Sequence, residues 1–140
     1  MKNFFNKIQH EKLNSQPRKI YIMDLHQDGQ LPIPDNIIKV GTSVNPTKRA
    51  ETLTENWSHI GIRFTVRFES PLISNPGDVE SDLHIALSII NARYMDSRFK
   101  RQQMDGYTEL FYDSEKAYKT ISTIYTSNHK PYINTDLPDW

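Results

Sequence analysis

Ile37-Ile38-Lys39-Val40-Gly41-Thr42-Ser43-Val44-Asn45-Pro46-Thr47-Lys48-Arg49 reads as a strand, a tight turn and a helix start. The apolar run stops at Gly41, where no Cβ stands in the way and another backbone or a phosphate can approach closely. Asn45-Pro46 is an N-cap followed by proline at the first helical position, where a missing N–H costs nothing and the ring presets φ. Arg49 then ends the first helical turn. A guanidinium beside a glycine turn and a helix N-terminus is a place to hold an anion.

Before this stretch, Lys19-Ile20-Tyr21-Ile22-Met23-Asp24-Leu25 is rich in strand formers, and Gln27-Asp28-Gly29-Gln30 with Pro32 and Pro34 marks the loop that ends it. The connection to the next strand, Asn36 to Gly41, is about ten residues long, which suits an antiparallel hairpin with a long loop. After it, Ala50, Leu53 and Trp57 set an apolar stripe on a helix from Pro46 to about Ser58. Ile62 to Glu69 alternates apolar and charged residues, the period-two pattern of a half-buried strand. Asp78 predicts the N-cap of a second helix running to about Tyr94, with Val79, Leu83, Ala86 and Ile90 inward and Glu80, His84 and Asn91 along a neighbouring line. Tyr107 to Tyr112 predicts a fourth strand, and Asp113 or Ser114 caps a last helix to about Tyr125, with Ala117, Ile121 and Ile124 inward. The whole predicts an α+β domain over residues 18–126, a small antiparallel sheet of three to four strands flanked by helices. It lies between an N-terminal arm at 1–17 and a C-terminal tail at 127–140. Phe4, Phe5, Ile8 and Leu13 give the arm roughly helical spacing.

With 140 residues the chain suits a single core. Seventeen basic and seventeen acidic residues cancel, so any attraction to nucleic acid must come from a local basic face. Arg93, Arg98, Lys100 and Arg101 against Asp96 form the one clearly basic segment, which reads equally as a nucleic-acid contact or a solvated loop. There is no cysteine, hence no disulfide or thiolate metal site. No secretory or membrane-spanning run is visible, and the chain is expected to be soluble and intracellular.

Four residues carry chemistry of interest. Glu80, near a helix start, suits the lone carboxylate by which magnesium is held while water and substrate phosphate fill its other positions, or else it complements the helix dipole. His84, one turn on, could orient a site, bind a phosphate or be satisfied by a neighbour. Arg49 taken singly is a solvated helix arginine, and Tyr21 a core-edge tyrosine with a bonded hydroxyl. Their order is more specific than any one of them.

A tyrosine in a first strand, a glycine closing a second, an arginine on the next helix and a glutamate on the following helix resemble the layout of the GIY-YIG nuclease superfamily. Ile20-Tyr21 is similar to the end of its first motif, with Lys19 where a glycine is usual. Lys39-Val40-Gly41 is similar to its second, with lysine in place of the tyrosine. Arg49 and Glu80 stand where the family's arginine and metal-binding glutamate are expected. The Lys-Val-Gly-Thr form, the Glu80–His84 pair and Glu109-Leu110-Phe111, similar to a Glu-Trp-Phe motif, resemble the phage T5-type branch. The match covers roughly Lys19 to Tyr112.

The resemblance implies a metal-dependent DNA endonuclease using Mg²⁺ or Mn²⁺, with RNA not excluded as substrate. It implies the metal on Glu80, Arg49 on the scissile phosphate, and Tyr21 deprotonating the attacking water. Lys39 would stand beside Tyr21 to favour the phenolate, and His84 would complete the catalytic set. Gly41, Thr42, Lys48, Arg93, Arg98, Lys100 and Arg101 are the candidate nucleic-acid contacts. Cutting both strands with one small site calls for two copies, and a phage or mobile-element origin implies the cytoplasm of a bacterial or phage-infected cell. Two other readings stay open: a nucleic-acid-binding module without turnover, and a protein-interaction domain using Phe4, Phe5, Tyr132 and Trp140.

Overall fold

The computed structural model of the chain describes residues 16–29 and 31–133. The helical spacing at Phe4 to Leu13, and Trp140, lie outside the described residues. Strands β1 (Lys19–Gln27), β2 (Ile37–Ser43), β3 (Ile62–Glu69) and β4 (Leu110–Tyr112) form one antiparallel sheet in the order β3-β1-β2-β4. Helices are α1 (Pro46–Trp57), α2 (Pro76–Ile89), the short α3 (Ser97–Arg101) and α4 (Glu115–Asn128). The expected α+β class, a small antiparallel sheet flanked by helices, is what the chain forms.

Strand alternation sorts the core into two layers. Tyr21, Met23 and Leu25 of β1 and Ile37 of β2 face α1, packing with Leu53, Trp57, Phe64 and Phe99. Ile20, Ile22, Ile38 and Val40 face the other way, against Val79, Leu83 and Leu87 of α2 and Ala117 and Ile121 of α4. In β2 this alternation puts Lys39 on the α1 side with Ile37, and its burial is complete. Between Ile22 and Met23 the β1–β3 register slips by one, leaving Arg67 unpaired in the ladder. Its guanidinium reaches Asp24 and Asp113.

Four boundaries differ from expectation. Helix α2 starts at Pro76 with Asn75 as N-cap, not at Asp78, which sits in the first turn. The Asn75 amide makes no cap bond because it joins the end of α4, donating to the Asn128 carbonyl at 2.9 Å and accepting from Lys130 N at 2.8 Å. At its other end α2 stops at Ile89, and Asn91 takes a left-handed conformation (φ 59°), which asparagine tolerates better than most residues. Asn91 is thus outside the helix, and Leu87 rather than Ile90 continues the buried stripe. Residues 107–109 are a 3₁₀ turn, so β4 begins only at Leu110. Finally, α4 passes residue 126, and beyond it Pro131 makes an isolated bridge to Ile73, so the tail's first residues pack on the domain.

The basic segment contains a structural clamp. Asp96 caps α3 by accepting from Arg98 N at 2.9 Å, and its carboxylate also takes the Arg98 guanidinium at 2.6 and 2.9 Å and the Tyr94 hydroxyl at 2.7 Å. The Arg98 hydrogen bonds hold the Asp96 carboxyl down to about 2. A depressed carboxyl stabilises the fold above its unfolded pKa of about 4 and loses that contribution as pH falls toward 2. Acid titration should therefore show an unfolding limb between about pH 4 and 2 that is flattened in Asp96→Asn. That variant should lose about 1–2 kcal/mol at neutral pH in urea melts.

Candidate active site

β4 pairs with β2 only over Ile37 to Lys39, so the outer edge of β2 is free of a strand from Val40 onward. That notch is where the two layers meet. From the α1 side come Tyr21, Lys39 and Arg49, and from the α2 side Glu80 and His84, with Glu109, the residue just before β4, between them. The candidates do not converge on one face of the sheet, as expected, but around its open edge.

Tyr21 and Lys39 form the floor. The register sets Tyr21 opposite Gly41, and the Lys39 ammonium donates to the Tyr21 hydroxyl and, at 3.2 Å, to Glu109 Oε1. A Cβ on Gly41 would lie 2.6 Å from the Tyr21 hydroxyl and 3.1 Å from Lys39 Nζ. The space expected there for a phosphate is thus filled by the chain itself, and Gly41 is buried. Gly106, in a left-handed turn (φ 78°), leaves room for the Lys39 stem, since a Cβ there would meet Cε at 2.5 Å. Gly41→Ala should push the phenol and ammonium apart and cost about 1–3 kcal/mol of overpacking strain, read as a lower urea midpoint.

Burial works against the charged forms of both floor residues, with opposite outcomes. It raises the Tyr21 phenol, outweighing the lowering by Lys39. The lysine was expected to favour the phenolate; it acts in that direction and is overruled by desolvation. For Lys39 itself, burial lowers the pKa but Glu109 and Tyr21 more than compensate, so the ammonium persists. Among the described residues it is the one fully buried charge.

The rim is acidic on one side and basic on the other. Glu80 Oε2 accepts from the Thr42 hydroxyl at 3.1 Å, which ties Thr42, one of the expected nucleic-acid contacts, to the acidic side of the rim. His84 Nε2 lies 2.9 Å from the Val40 carbonyl on the free strand edge, and 4.0 and 3.9 Å from carboxylate oxygens of Glu80 and Glu109. A carbonyl can only accept, so Nε2 carries the proton in this arrangement. Burial lowers the His84 pKa, leaving the ring neutral. Burial, then the hydrogen bond and charge of Glu109, push the Glu80 carboxyl up to about 8. Glu109 is pushed up by burial too, but Lys39 beside it holds it ionised below the usual range. The carboxyl pair thus retains one proton, on Glu80.

One ligand atom from each of Glu80, His84 and Glu109 lies within 4.8 Å of the others, so the group could hold a metal ion. Two crowded carboxylates, of which burial and mutual repulsion keep Glu80 protonated, form a donor set that suits a divalent ion in place of that proton. The glutamates are the ready ligands, while His84 Nε2 is engaged with the Val40 carbonyl.

On the opposite rim Arg49 donates from Nη1 and Nη2 to the two Asp105 oxygens at 2.8 and 3.0 Å. The other proposed contacts divide. Lys48, Arg93, Lys100 and Arg101 are exposed, and Arg93 adjoins His84 in a surface hollow while donating to the Thr108 carbonyl at 3.1 Å. Arg98 instead is spent on Asp96 and the Pro32 carbonyl.

Comparison with protein-family models, curated proteins and solved structures gave no match. Two central residues escaped the sequence reading as site members: Glu109, quoted only within a motif, and Asp105. Glu109 was within reach, because an acidic residue directly before a short strand opposite Lys39 invites pairing. Asp105 had no local signal. Among the described residues no helix is long and apolar enough to cross a membrane.

Proposed function

We propose that the chain is a metal-dependent endonuclease that hydrolyses phosphodiester bonds in DNA, using Mg²⁺ or Mn²⁺. The observation that carries the reading is the joining of the Glu80–His84–Glu109 group to Tyr21 through Lys39, a buried cation bonded to both Tyr21 and Glu109, with Arg49 on the same rim. Glu80 and Glu109 would hold the metal, which when bound supplies a Lewis acid for a phosphoryl oxygen. Arg49 presents a planar fork that matches phosphate oxygens and the charge they gain in the transition state. His84 fixes the edge of β2 beneath the glutamates. Lys39 cannot touch substrate and acts as a positioning residue. The Lys39 ammonium and the Arg49 guanidinium both favour a phenolate at Tyr21, the form that would take a proton from water.

Lys48, Arg93, Lys100 and Arg101 would place the duplex through its phosphates, without reading sequence. A second copy would supply the second cut, in the cytoplasm of a bacterium or of a phage-infected cell. The buried, lysine-bonded state of Tyr21 favours one other reading, binding of nucleic acid without turnover. Incubating plasmid with protein and Mg²⁺ or Mn²⁺, following both nicking and binding, separates the two. The nuclease reading expects nicks that Tyr21→Phe strongly reduces, and full activity in that variant removes Tyr21 from the chemistry.

A further inference from the structure

Arg49 is already engaged, and the manner of its engagement is specific. Both terminal nitrogens address both oxygens of one carboxylate, the same two-point geometry a phosphate would take. Asp105 is not there by the drift of a loose loop. Its backbone carbonyl accepts from the buried Trp57 indole at 2.9 Å, and Trp57 packs edge-on against Phe64 and Phe99. The next residue is Gly106, whose left-handed turn lies over the Lys39 stem. Backbone anchors on both sides thus fix where the Asp105 side chain starts, while the side chain itself is 46% exposed. The pair is bidentate, yet both partners remain in reach of water, so another anion can compete for the same fork.

We propose that Asp105 occupies the phosphate seat of Arg49, as a built-in stand-in that the incoming phosphate of the nucleic-acid backbone must displace. The proposal rests on the reading of Arg49 as the phosphate clamp. The exchange is balanced: one anion leaves the fork as another enters, so Arg49 is never left bare beside Lys39, and a free anion enters the seat less readily than it would without Asp105. Displaced, the carboxylate has free access to water. Selectivity follows, since an anion with further contacts at the rim competes with Asp105 better than one without them.

The test reads the seat directly. Arg49 side-chain nitrogen signals are followed by NMR while inorganic phosphate is added to the wild-type protein, to Asp105→Asn and to Asp105→Ala. Removing the competitor should bring half-saturation at about five-fold lower phosphate in both variants, with the Trp57 indole signal unmoved because its partner is a backbone carbonyl. Equal or weaker phosphate binding in the variants would overturn the proposal and make Asp105 a group that positions Arg49. A parallel titration with a 12-base-pair duplex, with Arg49→Ala as control, separates this outcome from the fate of the nuclease reading. Phosphate tightening without duplex binding upholds the seat and sinks the nuclease reading. Duplex binding that needs Arg49 but is tighter in wild type than in the variants overturns the stand-in alone.

Discussion

Lys39→Met should destabilise the protein by about 3 kcal/mol, seen as a lower urea midpoint with an unchanged slope. Methionine matches the length of the lysine stem and fits the channel that Gly41 and Gly106 leave open, so little of the loss is packing. The loss is electrostatic. Without the ammonium, Glu109 keeps its buried neighbours Glu80 and Tyr21 but no cation, and the Tyr21 oxygen loses its donor. Removing one member of a buried charge pair leaves the other uncompensated, which is costlier than removing both. Lys39→Met combined with Glu109→Gln should therefore recover part of the loss, a coupling that two independent sites would not show. A single variant as stable as wild type would mean that Lys39 does not hold the two halves of the site together.

The second large effect concerns Glu80. Glu80→Gln should lower metal-dependent cleavage by at least about 10²–10³-fold, since a ligand of the Lewis acid contributes several kcal/mol to the transition state. The same change should leave the metal-free protein more stable above neutral pH. Burial and the neighbouring Glu109 raise the Glu80 carboxyl to about 8. Between its unfolded pKa of about 4 and 8 the folded protein therefore binds more protons than the unfolded one. Stability then falls as pH rises through that window. Glutamine mimics the protonated carboxyl and removes the slope. The joint signature is a metal-free variant with higher Tm at pH 8, no rise in Tm on adding Mn²⁺, and no cleavage. A Mn²⁺ response as large as wild type would remove Glu80 from the metal group.

The fold was legible because its punctuation was strong. Asn45-Pro46 started α1 where expected, with the Asn45 side chain accepting from Lys48 N at 3.2 Å, and the alternation of Ile62 to Glu69 gave β3 its bounds. The same Asn-Pro reading at Asn75-Pro76 would have placed the start of α2; Asp78 drew the cap three residues late because an acidic residue suits either position. Tyr21, Lys39, Arg49, Glu80 and His84 were recognised from type and order, and all five lie at one notch. Burial was not legible. Which face of β2 packs on α1, and hence that Lys39 is inside while Lys48 of α1 stays exposed, depended on tertiary packing. The reach of Asp105 to Arg49 spans 56 residues and depends on the Trp57 anchor, a tertiary contact without a local pattern.

The most direct measurement of the central claim is plasmid cleavage in Mg²⁺ or Mn²⁺ by wild type, Glu80→Ala and Arg49→Ala purified side by side, with binding to the same plasmid followed in parallel. The account predicts nicked product from wild type only, and binding retained by Glu80→Ala. Cleavage undiminished in Glu80→Ala, in preparations shown free of contaminating nuclease, would contradict it.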